Sequence, residues 1–296
     1  MRAETGKKDQ ADGECTAPAV PGGVYLCQVG DAVSCGACCG LYNCADASRR
    51  TLEDLIAGRT EAFRRVPRDA DAITDFQVCM ERRNPGPRPY PDFYHCPFLG
   101  FIDPGRRRVG CLLHPMADGN DGIDYRGLSF YGGLACRDYF CPSYRHLAAP
   151  HKEIVKAVCA DWYLYGLVIT EDRLLNAFFG EIEKRLNRPL SAVDVLPHAD
   201  SRQAVREFLA LKLDWPHRLP GARGPGNYFF NDGLYPKPPI DYTRLGAVPS
   251  ALDPILHELS SGFSRPEVIH EAEARIERLL DRILRPAVHP GAGGGY

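Results

Sequence analysis

The second half of the chain carries most of the regularly spaced apolar residues. In 151–166 they recur every three or four positions, which predicts a helix with one buried face. The same spacing predicts helices over 170–186, 201–213 and 253–259. The last such pattern follows Ser264 and Glu267, which match a capping box, and it predicts a long final helix.

The first half of the chain has little helical periodicity. Only 51–66 predicts a helix there, with Thr51 as its N-cap. Residues 98–102 and 108–113 predict two short strands joined by a turn at 103–105. Residues 23–50 are rich in glycine and cysteine and predict loops.

Proline marks two irregular segments. Four prolines in 84–91 exclude a helix or a central strand and predict a surface connection, and 214–248 is also expected to be irregular. We therefore expect an α+β, loop-rich fold.

The expected fold divides by composition into a Cys-rich metal-binding half with short strands and a mainly α-helical half. The expected parts are a disordered tail at 1–22, a cysteine-cluster domain at 23–148, a helical region at 149–288 packed on it, and a disordered tail at 289–296.

Composition narrows the classes of partner. The chain has 296 residues, of which 44% are hydrophobic, enough for a substantial core. The formal net charge is -2, so no global charge favours binding to nucleic acid or to an anionic membrane. No apolar run approaches the ~20 residues of a membrane helix, and the N-terminus lacks the apolar stretch of a secretory signal. We expect a cytoplasmic protein.

Cysteine content is the unusual feature of the sequence. There are 12 cysteines, and all but Cys15 and Cys159 lie between Cys27 and Cys141. In a reducing compartment, clustered cysteines are metal ligands or catalytic thiols more often than disulfides. Disulfides remain the alternative if the chain is exported. Cys79 and Cys159 stand alone and are expected to be buried apolar residues.

The tightest group is the knot, which we define as residues 34–40 with Cys35, Cys38 and Cys39. Two cysteines separated by two residues can direct both sulfurs to one ion, and small residues between them let backbone N–H groups turn toward sulfur. Cys39 must point differently from its neighbour Cys38. It would serve a second ion or another iron of the same cluster.

Two further pairs of cysteines follow downstream, Cys96 with Cys111 and Cys136 with Cys141. Cys96 and Cys141 are each followed directly by proline, a step also found at iron–sulfur ligands. The spacing is too wide for one local finger. It predicts a site assembled from separated loops.

The number of thiols leaves the number of centres open. With Cys27 or Cys44 as the eighth ligand, the cysteines would suffice for two centres of four thiolates, and each centre would be an iron–sulfur cluster or a zinc ion. Alternatively, four of the cysteines would serve a single centre and the others would be structural. The favoured metal ligands are Cys27, Cys35, Cys38, Cys39, Cys96, Cys111, Cys136 and Cys141.

The order of these motifs resembles the YkgJ-like cysteine-cluster family, the CxxCxxCC proteins described as zinc- or iron-chelating domains. The family pattern is a CxxCC knot, then Cys-Pro-x-Leu, then Cys-x-[Ile/Leu]-[Tyr/His], then a cysteine near an arginine. The matching segments here are 35–39, 96–99, 111–114 and 136–137. The family often has another cysteine three residues before the knot, where this chain has Ala32.

That resemblance implies a metal or iron–sulfur site. One relative, the flagellin lysine N-methylases, looks like a cysteine-cluster domain used in methyl transfer, so the implied roles include protein modification. The resemblance covers residues 27–145 and leaves the helical half unexplained.

Other features near the cysteines have two interpretations each. His95 and His114 are either nitrogen ligands or neighbours of the sulfurs. Residues 118–124 resemble a calcium loop without its last acidic ligand and predict a polar turn. The arginines at 106–108 predict a solvated turn or a docking patch for an acidic partner. Aromatic and charged residues in 124–139 predict a substrate pocket or a lid that excludes water.

Three classes of function follow, because no nucleotide-binding or serine-hydrolase motif is present. The favoured class is a metal-binding protein that holds a 4Fe-4S iron–sulfur cluster, or clusters, in a redox or cluster-assisted role. The alternatives are a zinc-stabilised structural or interaction module and a metalloenzyme such as a protein-modifying methyltransferase. A protein partner or redox partner is expected in the favoured class.

Overall fold

Helices form most of the protein in the computed structural model, which describes residues 20–83, 88–93, 95–222 and 237–288. The α-helices are α1 (Arg49–Phe63), α2 (Ala70–Arg82), α3 (Ser143–His146), α4 (Ala149–Val158), α5 (Trp162–Ile169), α6 (Asp172–Leu186), α7 (Ala199–Asp214), α8 (Tyr242–Leu245), α9 (Asp253–Glu258) and α10 (Pro266–Val288). The strands are β1 (Leu99–Phe101) and β2 (Val109–Cys111). The fold is therefore mixed α+β with mainly helical content.

Some expectations concern residues outside this range. Both expected tails lie there wholly or mainly, as does Cys15. So do 84–87 of the proline-rich connection and 223–236 of the irregular segment.

The predicted hairpin is confirmed, with strands shorter than expected. β1 and β2 pair antiparallel, and Leu99 stands opposite Cys111. The Asp103 carboxylate accepts hydrogen bonds from the N–H groups of Arg107 and Arg108 at 3.0 and 2.6 Å, which closes the turn. Arg106 has a φ of 54° and Arg107 is largely exposed, whereas Arg108 is partly buried. The docking of an acidic partner to this turn stays a prediction.

The start of α1 corrects the expected N-cap. Ser48, rather than Thr51, is the N-cap, and its hydroxyl accepts a hydrogen bond from the Thr51 N–H. Thr51 lies inside the helix, where its hydroxyl donates to Asp46 at 2.5 Å. The helix therefore begins one turn earlier than its apolar spacing indicates.

The helix expected over 151–166 is two helices. α4 ends at Val158, and Cys159 after it has extended backbone angles. Asp161 caps α5 by accepting hydrogen bonds from the N–H groups of Tyr163 and Leu164 at 2.9 and 3.1 Å. The apolar spacing continues across the break, so it conceals the interruption. Thr170 follows α5 as its C-cap, and α6 begins two residues later than the expected start.

The other helical expectations are confirmed, and one helix was missed. α7, α9 and α10 match the predicted third, fourth and last helices within a few residues. The missed helix is α2, although Asp69 caps it and Ile73, Phe76 and Met80 form a buried face at helical spacing.

Two groups of buried apolar side chains organise the packing. The helical core lies mainly among α4–α7, α9 and α10, where Phe178 stacks on Phe208 with 3.6 Å between ring centroids. The N-terminal core lies between α1, α2 and the hairpin. α5 contributes to both, because Trp162 belongs to the N-terminal core and Tyr165 to the helical core.

Among the described helices, none is both long and apolar enough to cross a membrane.

Candidate metal centre

The knot is a short turn of 3-10 helix. Residues Ala37–Cys39 form this turn, and Gly40 ends it with a φ of 82°, a conformation that favours glycine. The Cys39 N–H donates to the Gly36 carbonyl at 3.1 Å. The turn leaves Cys38 exposed and Cys39 partly buried.

Two polar side chains fasten the knot to the hairpin. The buried Ser34 hydroxyl accepts a hydrogen bond from the Val109 N–H at 2.8 Å, and the Gln28 amide donates to the Val109 carbonyl at 2.8 Å. Between these anchors, the Cys35 N–H donates to the Cys27 carbonyl at 2.8 Å. Cys27 and Cys35 are thereby held side by side.

Cys96 is fastened to the knot and to α1. Its N–H donates to the Cys39 carbonyl at 2.9 Å, and its carbonyl accepts from the Arg59 guanidinium at 3.0 Å. Cys111 ends β2, directly opposite Leu99. The hairpin therefore sets the separation of Cys96 and Cys111.

The last pair of cysteines flanks a distorted segment. Cys136 ends a turn of π-helix over Gly132–Cys136, an uncommon geometry that is frequent at functional sites. Cys141 lies just before α3, and its carbonyl accepts from the Tyr144 N–H at 3.0 Å. The Tyr144 hydroxyl accepts from the Leu26 N–H at 2.9 Å and lies 3.2 Å from the Cys27 sulfur, so Tyr144 ties Cys141 to Cys27.

Backbone amides point at several of the sulfurs in one recurring pattern. The sulfurs of Cys35, Cys96, Cys111 and Cys141 each accept a hydrogen bond from the N–H group two residues further on. Of these N–H groups, only that of Ala37 belongs to the knot, where the small residues predicted it. Such N–H groups stabilise negative charge on sulfur and orient its lone pairs.

The sulfurs also interact with one another. The Cys39 side chain interacts with those of Cys38 and Cys96, and these interactions lower the pKa of the Cys38 and Cys96 thiols. They raise the pKa of Cys39. Cys38 and Cys96 are therefore the most readily ionised members of the group.

Burial is the largest cause of the raised pKa of the other five thiols. It raises the pKa of Cys27 to about 12 and that of Cys141 to about 11, and the charge of Cys38 adds to both. It also raises the pKa of Cys136 to about 11, with the charge of Cys96 as the next cause. Burial likewise raises the pKa values of Cys35 and Cys111.

Eight cysteines thus share one neighbourhood, and Cys44 lies outside it. The Cys44 thiol contacts the Leu41 carbonyl at 3.7 Å, and the charges that act on it belong to Arg59, Arg88 and Asp46. Cys27 interacts with Cys38 and Cys141. These contacts favour Cys27 over Cys44 as the eighth member.

The two isolated cysteines lie in apolar surroundings. Cys159 is buried in the helical core, as expected. Cys79 is only partly buried, on the side of α2 that packs against the N-terminal core.

Within the described parts of the chain, no three His, Cys, Asp or Glu residues are arranged so that they could hold a metal ion. All of the described cysteines are free thiols. The favoured ligand set therefore stays a prediction.

The two histidines occupy different surroundings. His95 is buried, and its Nε2 lies 3.4 Å from the Arg59 guanidinium. Burial and then the charges of Arg59 and Arg88 lower the pKa of His95 to about 3, so it is neutral at pH 7. His114 accepts a hydrogen bond from the Met116 N–H at 3.1 Å through Nδ1. Neither contact tests whether these residues bind metal.

The Asn120 side chain holds the acidic loop at 118–124 in place through its hydrogen bonds. Its buried side-chain amide donates to the carbonyls of Leu112 and His114, both at 2.8 Å, and its oxygen accepts from the Arg68 guanidinium at 2.9 Å. Gly119 and Gly122 both have positive φ. The segment is the polar turn that was predicted, and it supports the loop after Cys111.

Residues 124–139 present both charge and exposed aromatic groups. Arg126 binds Asp124 through two hydrogen bonds of 2.9 and 2.7 Å, and its charge acts on Cys111 and Cys136. Phe130 and Tyr139 are largely exposed. Whether this segment is a substrate pocket or a lid stays open.

Sequence reasoning missed several residues that hold the cysteine loops. They are Gln28, Asn43, Arg59, Tyr144 and Lys152. Lys152 is fully buried and donates to the Tyr144 carbonyl at 2.6 Å, and Asn43 exchanges hydrogen bonds of 2.8 and 3.0 Å with the backbone of Tyr90. The sequence signal for such residues is a charged side chain at an apolar position of a helix, as at Arg59 and Lys152.

Comparisons of this chain with protein-family models, with curated proteins and with solved structures find no match. The resemblance to the YkgJ-like family therefore rests on the residues quoted for it and stays a proposal.

Proposed function

We propose that this protein is an iron–sulfur protein, in which cysteine thiolates hold one or more 4Fe-4S clusters for a redox or cluster-assisted role. The observation that carries the proposal is the convergence of eight thiols from separated loops, four of which accept an amide hydrogen bond from the second residue after the cysteine. Free thiols gathered in this way form a donor set suited to iron or zinc.

The chain's own residues suit the electrostatics of such a site. Four thiolates carry more negative charge than an apolar core tolerates without compensation. The Arg59 guanidinium donates a hydrogen bond to the Cys96 carbonyl. Its charge lowers the pKa of the Cys96 thiol, and the side-chain interaction with Cys39 lowers that pKa more. Arg126 acts on Cys111 and Cys136 in the same sense. The amides and arginines would hold the thiolates in place while the cluster, when bound, supplies one-electron chemistry.

Cys38 and Cys136 support a redox role because both are exposed. Electron exchange with a protein partner would take place on the side of the site where they reach the solvent. The proposal includes the cytoplasm as the compartment, because the ligands must be reduced thiols.

Anaerobic purification followed by iron, zinc and acid-labile sulfide analysis tests this proposal. The expected result is a brown protein with broad visible absorption and equal amounts of iron and sulfide. The double variant Cys38→Ser/Cys39→Ser should lose most of that iron, whereas Cys44→Ser, a neighbouring thiol outside the group, should keep it. A colourless protein with zinc, or with neither metal, contradicts the iron–sulfur assignment.

A further inference from the structure

A cavity of about 600 Å³ lies in the helical half of the chain, and its described walls contain none of the candidate cysteines. The residues that line it fall within 216–220, 238–245 and 261–268, and we name it the α10 pocket because its last wall is the start of α10. We propose that the α10 pocket binds a small carboxylate with an aromatic or aliphatic body. The proposal goes beyond the metal-binding function and does not depend on it.

Apolar side chains form most of the walls of the α10 pocket. Phe263 belongs to the helical core, and Ile240, Leu245 and Val268 pack against that core. Prolines add rigid apolar surface at Pro216, Pro220, Pro238 and Pro239. A cavity of this size and composition suits a small ligand, since such sites are typically apolar with a few placed polar groups.

The backbone around the pocket is held by hydrogen bonds that need no ligand. The Gly262 N–H donates to the His217 carbonyl at 2.8 Å, and the Leu219 N–H donates to the Ser260 carbonyl at 2.9 Å. A Cβ on Gly262 would lie 2.1 Å from the Leu219 side chain, so glycine permits this close approach of the two segments. The walls are therefore preorganised, which lowers the cost of binding.

Positive charge dominates the polar part of the described walls. Arg218 and Arg244 both line the pocket, and Asp241 is the acidic residue among them. The Asp241 carboxylate caps α8 by accepting a hydrogen bond from the Arg244 N–H at 2.9 Å. The Arg218 guanidinium donates to the carbonyls of Lys212 and Leu211 at 2.8 and 3.2 Å, which are neutral acceptors that leave its charge uncompensated. The pocket therefore favours an anion.

Three polar side chains of the wall are left for a ligand. Within the described part of the chain, the Arg244 guanidinium, the His217 ring nitrogens and the Ser264 hydroxyl make no hydrogen bond or ion pair. The His217 ring lies 5.0 Å from that of Trp215 and 6.0 Å from that of Phe263, between centroids. Burial lowers the pKa of His217, so the ring is neutral at pH 7 and still has one N–H to donate. A carboxylate can accept hydrogen bonds from all three groups.

The indole N–H of Trp215 provides an NMR signal that tests the proposal in the full chain. It donates to the Ser261 hydroxyl at 2.8 Å, and Ser261 lines the pocket. The chain has 2 tryptophans, so a Trp162→Phe variant assigns the signal. Phenylacetate should shift it in a saturable way. Phenylacetamide should bind about tenfold more weakly because it has no charge, and phenethylamine should cause no shift.

Two substitutions of Arg244 test the recognition of the carboxylate. Arg244→Gln should weaken phenylacetate binding about tenfold and leave phenylacetamide binding unchanged. Arg244→Glu should reverse the preference, so that phenethylamine binds better than phenylacetate. Arg278→Gln is the matched control, because Arg278 is also exposed but lies outside the pocket. Circular dichroism of each variant checks that its helices remain.

A Trp215 signal that stays unchanged throughout the phenylacetate titration overturns the inference. Equal binding of the three compounds, or an Arg244→Glu variant that still prefers phenylacetate, also overturns it. The iron content of the Arg244 variants should equal that of the wild type, because the candidate cysteines do not line the pocket. A wild type without metal that still binds phenylacetate overturns the proposed function and supports the pocket.

Discussion

Single buried polar residues, rather than the cysteines themselves, hold the cysteine loops in position. Ser34 and Gln28 fasten the knot to Val109, and Asn120 supports the loop after Cys111. Each supplies hydrogen bonds to backbone groups that have no partner in a regular sheet or helix. Loops of this kind would otherwise leave buried polar groups unpaired, at a cost of about 1–3 kcal/mol each.

Replacing Asn120 with alanine should destabilise the protein by about 2 kcal/mol, because two carbonyl groups and the Arg68 guanidinium lose a buried partner. Urea unfolding followed by circular dichroism measures this change. Asp118→Ala, an exposed position in the same turn, is the control and should change stability by less than about 0.5 kcal/mol. Equal effects of the two substitutions would show that Asn120 has no special role.

At the scale of elements, the most important feature is the break in the helix between α4 and α5. Asp161 starts a new helix there, and this lets α5 turn toward the N-terminal core through Trp162 while Tyr165 packs in the helical core. The Tyr165 hydroxyl donates to the Leu26 carbonyl at 2.9 Å, next to Cys27. The start of α5 thus affects the position of a predicted ligand.

Asp161→Ala should lower the stability by about 1 kcal/mol, since it removes the N-cap of α5. Asp161→Asn should cost less than about 0.5 kcal/mol, because asparagine is an equally good N-cap. Asparagine does lose the ion pair with Arg49 at 2.9 Å, but that pair is exposed and contributes little. Thermal unfolding of both variants provides the comparison, and equal losses would mean that the ion pair, which both variants remove, matters more than the cap.

At the scale of the whole molecule, the candidate cysteines lie where the two cores meet. Cys35 packs against both cores, and residues 24–27 of the N-terminal half pack with the helical core. A metal bound by thiolates from both halves stabilises the folded state by its binding free energy. A metal bound in this way would therefore act as a cross-link between the two cores.

Removing the metal should loosen the cysteine loops and leave the helical core ordered. Hydrogen–deuterium exchange with and without metal should show faster exchange in residues 23–44 and 132–142 after removal. α7 and α10, which pack against each other away from the cysteines, should keep their protection. Unchanged exchange in the cysteine loops would contradict a structural role for the metal, and loss of protection throughout would mean that the cores do not fold separately from it.

Much of the fold could be predicted from the sequence where a local pattern determines an element. The spacing in α7, α9 and α10 and the turn of the hairpin were sufficient, because each depends on neighbouring residues. The prediction was wrong at the N-cap of α1 and at the break before α5, where one polar residue overrides a continuing apolar pattern. It missed α2, whose apolar face is short.

The sequence by itself determined which residues are the candidates for metal binding, since the cysteines, their spacing and the small residues of the knot are all visible in it. Only the tertiary structure showed that Cys27 interacts with Cys38 and Cys141, whereas the charges acting on Cys44 belong to Arg59, Arg88 and Asp46. The physical reason is that several of these contacts join residues far apart in the sequence, as Tyr144 does with Cys27 across 117 positions. Such pairs are selected by the packing of two cores around α5, and no local pattern encodes them.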